Sequence, residues 1–330
     1  MGALCIIAPL LRVAEVRTTV DGLLSGDNAP RQAASPDQGR LGFDRSGDHL
    51  TPGQVVEVLV ANRLMAEQPL LKVKEWAEKV AVRDVFGIDP SALTDDRLAQ
   101  VMETVARAGE EIHQTAAARL TTHYRLQDHP SVPDITPLNF ERVGTRECLE
   151  DYLRDWEDDL PSIRPQRNRL MVAFQLSGEA QVPVGYQIPP RGSASALASR
   201  AGPVQGQNLN KIRFRGLKQT VAVPGAFLEN DLRMRGLVLV TALAMTLYGV
   251  TEWLGAQGMD RRPGRRLIHE LSPVSLVYYQ IGGEKHRSLG NLDGNPQLIL
   301  RALGFWPAEQ HLFPGRSRPV GRAQDSGRQL

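Results

Sequence analysis

Asp134 stands in the run DITPLNF (134–140), after a long helical stretch and before two apolar runs. Its neighbours are β-prone and turn-prone, which places a carboxylate on or beside a strand. Such an acid can take part in metal-assisted phosphoryl chemistry, but that chemistry needs several oxygen ligands that converge. Acids are abundant nearby in sequence, with Glu147, Glu150, Asp151, Asp155, Glu157, Asp158 and Asp159 within RECLEDYLRDWEDDLPS (146–162). A run this dense reads as the solvated face of a charged insertion, not as partners for Asp134. Histidine and cysteine offer no substitute. The seven histidines are scattered without an HExxH pair, and Cys5 and Cys148 sit in no motif. A zinc site or a disulfide framework would need more sulfur at tighter spacing.

The basic residues carry a second signal. The net charge of +2 conceals 18 Lys/Arg against 9 Asp/Glu in residues 200–330, a balance of +9, and a balance of −7 in the rest. A basic back half points to a polyanion partner, nucleic acid being the usual one. NKIRFRGLKQ (210–219) reads as a short basic helix with Lys211, Arg215 and Lys218 on one face, Phe214 and Leu217 turned inward, and Arg213 beside them. A stripe of this kind suits phosphate contacts, which give affinity without sequence specificity. RRPGRR (261–266) is a second cluster, expected in a loop.

The elements that must position these residues follow from pattern. SGDNAPRQAASPDQGRLGFDRSGD (25–48) reads as a linker rich in Gly, Pro, Ser and Asp. TPGQ (51–54) has the form of a helix start, with Thr51 as cap, Pro52 in the first turn and Gln54 completing a capping box. Next, Leu70, Val73, Trp76, Ala77 and Val80 recur at helical spacing, so Trp76 reads as core. Thr94 caps a further helix striped by Leu98, Val101 and Val105, and a last helix runs to about Tyr124. Caps, stripes and turns agree over residues 50–125, the consistency expected of a unit that folds by itself. LMVAFQL (170–176) and VPVGYQI (182–188) read as a hairpin with Asp134 on a strand beside it; Pro133 and Pro137 fit poorly in a central strand. PPRGSASALASRAGPVQGQN (189–208) cannot build a core. Residues 231–254 read as a buried helix, 274–290 as a second hairpin with a Gly-rich turn, and 296–305 as a closing helix. The apolar run 237–250 is shorter than a membrane span, and ALCIIAPLL (3–11) lacks the basic residues of a signal peptide, so no membrane partner and a cytoplasmic location are expected.

The order of these elements resembles the insertion-sequence transposases of the DDE type, in the branch that opens with a helical domain of uncharacterised function. The stretch LTPGQVVEVLVANRLMAEQPLLKVKEWAEKV (50–80) carries most of the resemblance. DITPLNF resembles the family's first catalytic strand, RPQRNRLMVAFQLSGEAQVPVGYQI (164–188) the next two, and residues 212–254 the end of the core, with a basic FRxLK segment before a buried helix. The resemblance implies an RNase H-like core, DNA as partner with possible homo-oligomers, and Mg²⁺ held by three acids, of which Asp134 is the first. It also implies what is missing. Where the second acid belongs the chain reads PRGSASA (190–196), and Lys211 occupies the place of the third. The long segment between them is absent, as after an internal deletion. One carboxylate does not hold Mg²⁺ productively.

The expected fold class is α+β or α/β, in this order: an N-terminal segment and linker (1–49), a helical domain (50–128), a partial RNase H-like core (129–189), a low-complexity seam (190–209), the rest of the core (210–312) and a basic tail (313–330). The expected function is DNA transposition in a degenerate copy without catalysis. The alternative is a non-catalytic DNA-binding or interaction protein derived from a transposase.

Overall fold

The computed structural model describes residues 1–25, 50–66, 72–126, 134–139, 141–143, 169–177, 180–188, 222–224 and 230–314, and of residues 134–143, 169–171 and 222–224 the backbone alone. The class is α+β: helices with three small sheets.

The chain opens with α1 (Leu4–Val13) and α2 (Val16–Ser25). Leu4 through Leu11 are all buried, because a helix apolar on every side has no face for water. The run that reads in sequence as a short apolar stretch before a linker is thus a core helix. Helix α2 docks on the start of α3 (Pro52–Met65). Asp21 accepts from the Thr51 hydroxyl and from Gly53 N, both at 2.7 Å, placing a carboxylate at the positive end of α3. Arg17 pairs with the buried Glu57 at 3.0 Å. The capping box is as the sequence indicates: Gln54 N donates to Thr51 Oγ1 at 3.2 Å, and Thr51 N to Gln54 Oε1 at 2.9 Å.

Helix α4 (Val73–Lys79) buries Val73, Trp76 and Ala77, so Trp76 is core. Helix α5 (Val82–Phe86), not evident in the sequence, ends at Gly87 in the left-handed region, φ 71°. Thr94 accepts from Arg97 N and starts α6 (Asp95–Val105), where Leu98, Val101 and Val105 are buried. Helix α7 spans Gly109–Tyr124.

Strand β1 (Asp134–Asn139) lies antiparallel to β3 (Arg169–Leu176), which pairs antiparallel with β4 (Pro183–Gln187). In the order β1–β3–β4, β1 is an edge among the described residues, which suits Pro137 within it. Short β2 (Glu141–Val143) and β5 (Ala222–Pro224) pair in parallel.

Helix α8 (Asp231–Gly258) organises the rest. Asn230 caps it, accepting from Leu232 N at 2.9 Å, and Glu103 of α6 holds both Asn230 Nδ2 (2.9 Å) and Arg233 Nε (2.6 Å). It is long and apolar enough to cross a membrane by length and composition, yet its middle is buried within the protein. Its buried threonines Thr241 and Thr251 return their hydroxyls to carbonyls one turn back, and the Thr246 hydroxyl lies nearer the Pro183 carbonyl (2.8 Å) than that of Ala242 (3.1 Å), so each hydroxyl has an acceptor. Helices α3, α6 and α7, strand β4, and the later α9 (Gly264–Glu270) and α10 (Asn295–Ala302) all pack on it. The C-terminal part adds the hairpin β6 (Ser275–Ile281) and β7 (Glu284–Gly290), and α11 (Ala308–Leu312). One hydrophobic core runs from α1 to α11. The packing therefore does not favour residues 50–125 folding alone, because α8 covers the inner faces of α3, α6 and α7.

The approach of α8 to α6 is close. A Cβ at Gly236 would stand 2.3 Å from the Met102 carbonyl oxygen and 2.8 Å from its Cα, backbone atoms that have nowhere to go. Gly236→Ala should therefore cost about 1–3 kcal/mol despite its better helix propensity. Trp76→Ala should cost about 3–5 kcal/mol through the cavity it leaves. Urea unfolding of the full chain measures both. A Gly236→Ala variant as stable as the parent would show that α6 and α8 are not in contact there.

Candidate functional site

Asp134 opens β1, and the sheet register aligns it with Phe174 of β3, itself aligned with Tyr186 of β4. The expectation that Asp134 sits on a strand beside this hairpin is met by the backbone. The sheet's inner side is anchored hard: Val172, Phe174 and Leu176 are buried, as is Tyr186. Gly109 makes room for the Tyr186 hydroxyl, which a Cβ there would meet at 2.6 Å.

The polar centre of this contact is His113 of α7. It is fully buried, and its Nε2 lies 2.9 Å from Thr246 Oγ1 of α8. The Thr246 hydroxyl donates toward the Pro183 carbonyl at the start of β4, at 2.8 Å. That leaves Nε2–H of a neutral imidazole to donate to Thr246, and Nδ1 with no described partner. The ring meets Tyr186 edge-on, centroids 5.3 Å apart. Burial pushes His113 down to about 4, against a smaller opposing pull from the Ala242 backbone. The group ties helix, helix and sheet together.

The acidic run Glu147–Asp159 and the basic set Lys211, Arg213, Arg215 and Lys218 lie outside the described residues. Among the described residues, no three His, Cys, Asp or Glu side chains are placed to hold a metal ion. RRPGRR is only partly a loop, since Arg265 and Arg266 belong to α9. That helix starts because the Glu252 carboxylate accepts from Gly264 N at 2.8 Å. Arg262 and Arg266 both bind Glu270, at 2.8 and 2.7 Å, which offsets part of the cluster's charge. Sequence reasoning missed His113 as a structural crosslink. The signal, a lone histidine on the buried side of a helix, is common to many cores.

Residues 40–115 match the model of a family described as a domain of unknown function, DUF4277. The matched part takes in α3 to α6 and the start of α7. No curated protein and no solved structure matches the chain.

The histidine sets a pH dependence. The folded chain keeps His113 neutral to about pH 4, while the unfolded chain takes up the proton near its ordinary value of 6.5. Between those values the unfolded state binds more protons, so folding stability falls as pH falls, by up to about 3 kcal/mol. Urea unfolding at pH 7 and pH 4.5 should show this loss in the parent and a smaller loss in His113→Gln. Equal losses would mean that His113 is not held neutral.

Proposed function

We propose that this chain is a remnant of a DDE-type insertion-sequence transposase, with an incomplete RNase H-like core, that engages DNA without cutting it. The observation that carries the reading is the order and direction of the strands. The strand opening with Asp134 pairs antiparallel with the first of two later strands joined by a turn, themselves antiparallel, while short β2, which lies between β1 and β3 in the chain, pairs in parallel with β5. Buried helix α8 packs against β4. The Asp134 strand, the two strands with their turn and the buried helix come in the order in which the sequence resemblance has them, which supports the reading. The helical segment ahead of it, matched by the family model, supports the same reading.

In an intact enzyme of this type, three acids hold two Mg²⁺ ions that assist an in-line displacement at a DNA phosphate. The residues here do not fit that centre. Ser and Lys replace two of the acids, and no alternative set of ligands converges among the described residues. A lysine at the third position puts a positive charge where a cation belongs. No metal-dependent step follows from this chain. What its own residues offer is phosphate contact through Lys211, Arg213, Arg215 and Lys218, in a back half with a balance of +9.

A second reading is a non-catalytic interaction protein that reuses the helical domain, for example to compete with intact transposases. It is favoured by the place of the family match, which ends before Asp134.

Two measurements test the first reading. The purified chain with Mg²⁺ or Mn²⁺ should neither nick nor join DNA carrying the element's ends; cleavage that disappears in Asp134→Ala would contradict the loss of catalysis. Duplex binding should be weak, largely independent of sequence and steeply weakened by salt. Changing Lys211, Arg215 and Lys218 together to Gln should reduce the slope of log K against log[salt] by about 2–3. No binding at low salt would favour the interaction-protein reading, and an unchanged slope would remove the basic stripe.

A further inference from the structure

We infer that the free edge of β6 is a homodimer interface, in which two copies pair their β6 strands antiparallel about a two-fold axis at Tyr278. The inference rests on the hairpin alone and is independent of the transposase reading.

The hairpin has two unlike edges. Strand β7 begins Glu-Lys-His-Arg (284–287), and charges of this kind guard an edge against other chains. Strand β6 has no charged residue, yet it leaves Val277 42%, Tyr278 63%, Tyr279 39% and Ile281 63% exposed. Among the described residues no third strand joins either edge. An uncharged, apolar, β-prone edge left open is the feature that soluble proteins ordinarily avoid.

The hairpin is tied to the body of the protein through β7, which positions the edge. At the base of the hairpin Leu289 is buried, and its N–H donates to Glu309 Oε1 at 3.2 Å. Arg287 binds Asp84 at 3.0 Å and lies 3.8 Å over the Phe313 ring. A cleft of about 650 Å³ leaves open space beside Ser275, Leu276 and Tyr278.

The register decides which groups face outward. Gly282 and Gly283, at φ 59° and 89°, make the two-residue turn, and Ile281 is paired with Glu284. In such a hairpin the closing pair exchanges both hydrogen bonds and the pattern then alternates. Residues 275, 277, 279 and 281 therefore bond to β7, and Leu276, Tyr278 and Gln280 turn N–H and C=O to the open edge. A two-fold axis at Tyr278 uses all of these outward groups. Tyr278 bonds its own copy, and Leu276 bonds Gln280 of the other copy. The same register sets Val277 across from Tyr279 twice, a β-branched and aromatic pairing that favours sheets.

Charge selects the occupant. A charged strand on this edge would lose hydration with no counter-charge in β6 to receive it, and of the charged groups lining the adjacent cleft Arg83 is paired with Asp89 and Asp84 with Arg287. A second β6 brings no charge and the same alternation. The contact is isologous, so it closes at two copies instead of growing into a fibre.

Sedimentation of the full chain over a concentration series should give a reversible dimer. Tyr278→Pro removes the outward N–H and leaves the β6–β7 ladder intact. It should weaken association about tenfold to a hundredfold, the loss of two net hydrogen bonds, with an unchanged far-ultraviolet spectrum. In a Cys148→Ser background, Tyr278→Cys should form a disulfide-linked dimer on mild oxidation, and Lys285→Cys on the opposite edge should not. A chain monomeric throughout overturns the inference. So does a dimer indifferent to Tyr278→Pro that fails to crosslink, since its interface lies elsewhere. Monomers that float with phosphatidylserine vesicles would make the apolar ribbon a membrane contact instead.

Discussion

Helix α8 has no side for water. Over its middle, from Gly236 to Thr251, every residue is buried, so the chain must cover it all round. That requirement explains why α3, α6, α7, β4, α9 and α10 converge on one helix. The N-terminal helix α1 and the C-terminal helix α11, far apart in sequence, also lie in contact. Arg12 reinforces that contact by donating to the carbonyls of His311 and Leu312. Residues that look idiosyncratic in sequence serve this enclosure. Gly236 lets α6 approach, three threonines satisfy their hydroxyls along the helix, and the His113–Thr246 pair joins α7 to α8 while Thr246 reaches β4.

Much of this was legible because it is local. The capping box of Thr51 and Gln54 and the cap at Thr94 are spelled out by residues within one turn, and the stripe of Leu98, Val101 and Val105 by a single period. Both hairpins announced themselves through alternation and turn residues, and α8 through an apolar run longer than a strand. Helices α1 and α2 were missed because α1 is apolar on every side, with Pro9 inside it, and so has no periodicity to read. Helices α5, α9 and α11 are five to seven residues long, and tertiary contacts set them more than propensity does. What the sequence could not give was sharing. Nothing local states that the stripe of α6 is covered by a helix more than a hundred residues later.

The chemistry is divided in the same way. The absence of an acid from PRGSASA (190–196) and the lysine at position 211 are read directly from the sequence, since they are a matter of residue type. The position of Asp134 at the head of an edge strand is visible only in the pairing of β1 with β3. Under the proposed reading, the two together would describe a scaffold that keeps the first strand of a phosphoryl-transfer site without the ligands to use it. Its basic back half and its open β6 edge would then serve association, with DNA and with a second copy, not bond breaking.

The account depends on the helical segment 52–124 and α8 forming one cooperative core. Native-state hydrogen exchange read by mass spectrometry tests this directly. Backbone amides of α3, α6, α7 and α8 should open together, with a shared free energy and a shared sensitivity to denaturant. If α3, α6 and α7 stay protected under conditions where α8 exchanges freely, the N-terminal helices are an independent domain and the claim fails.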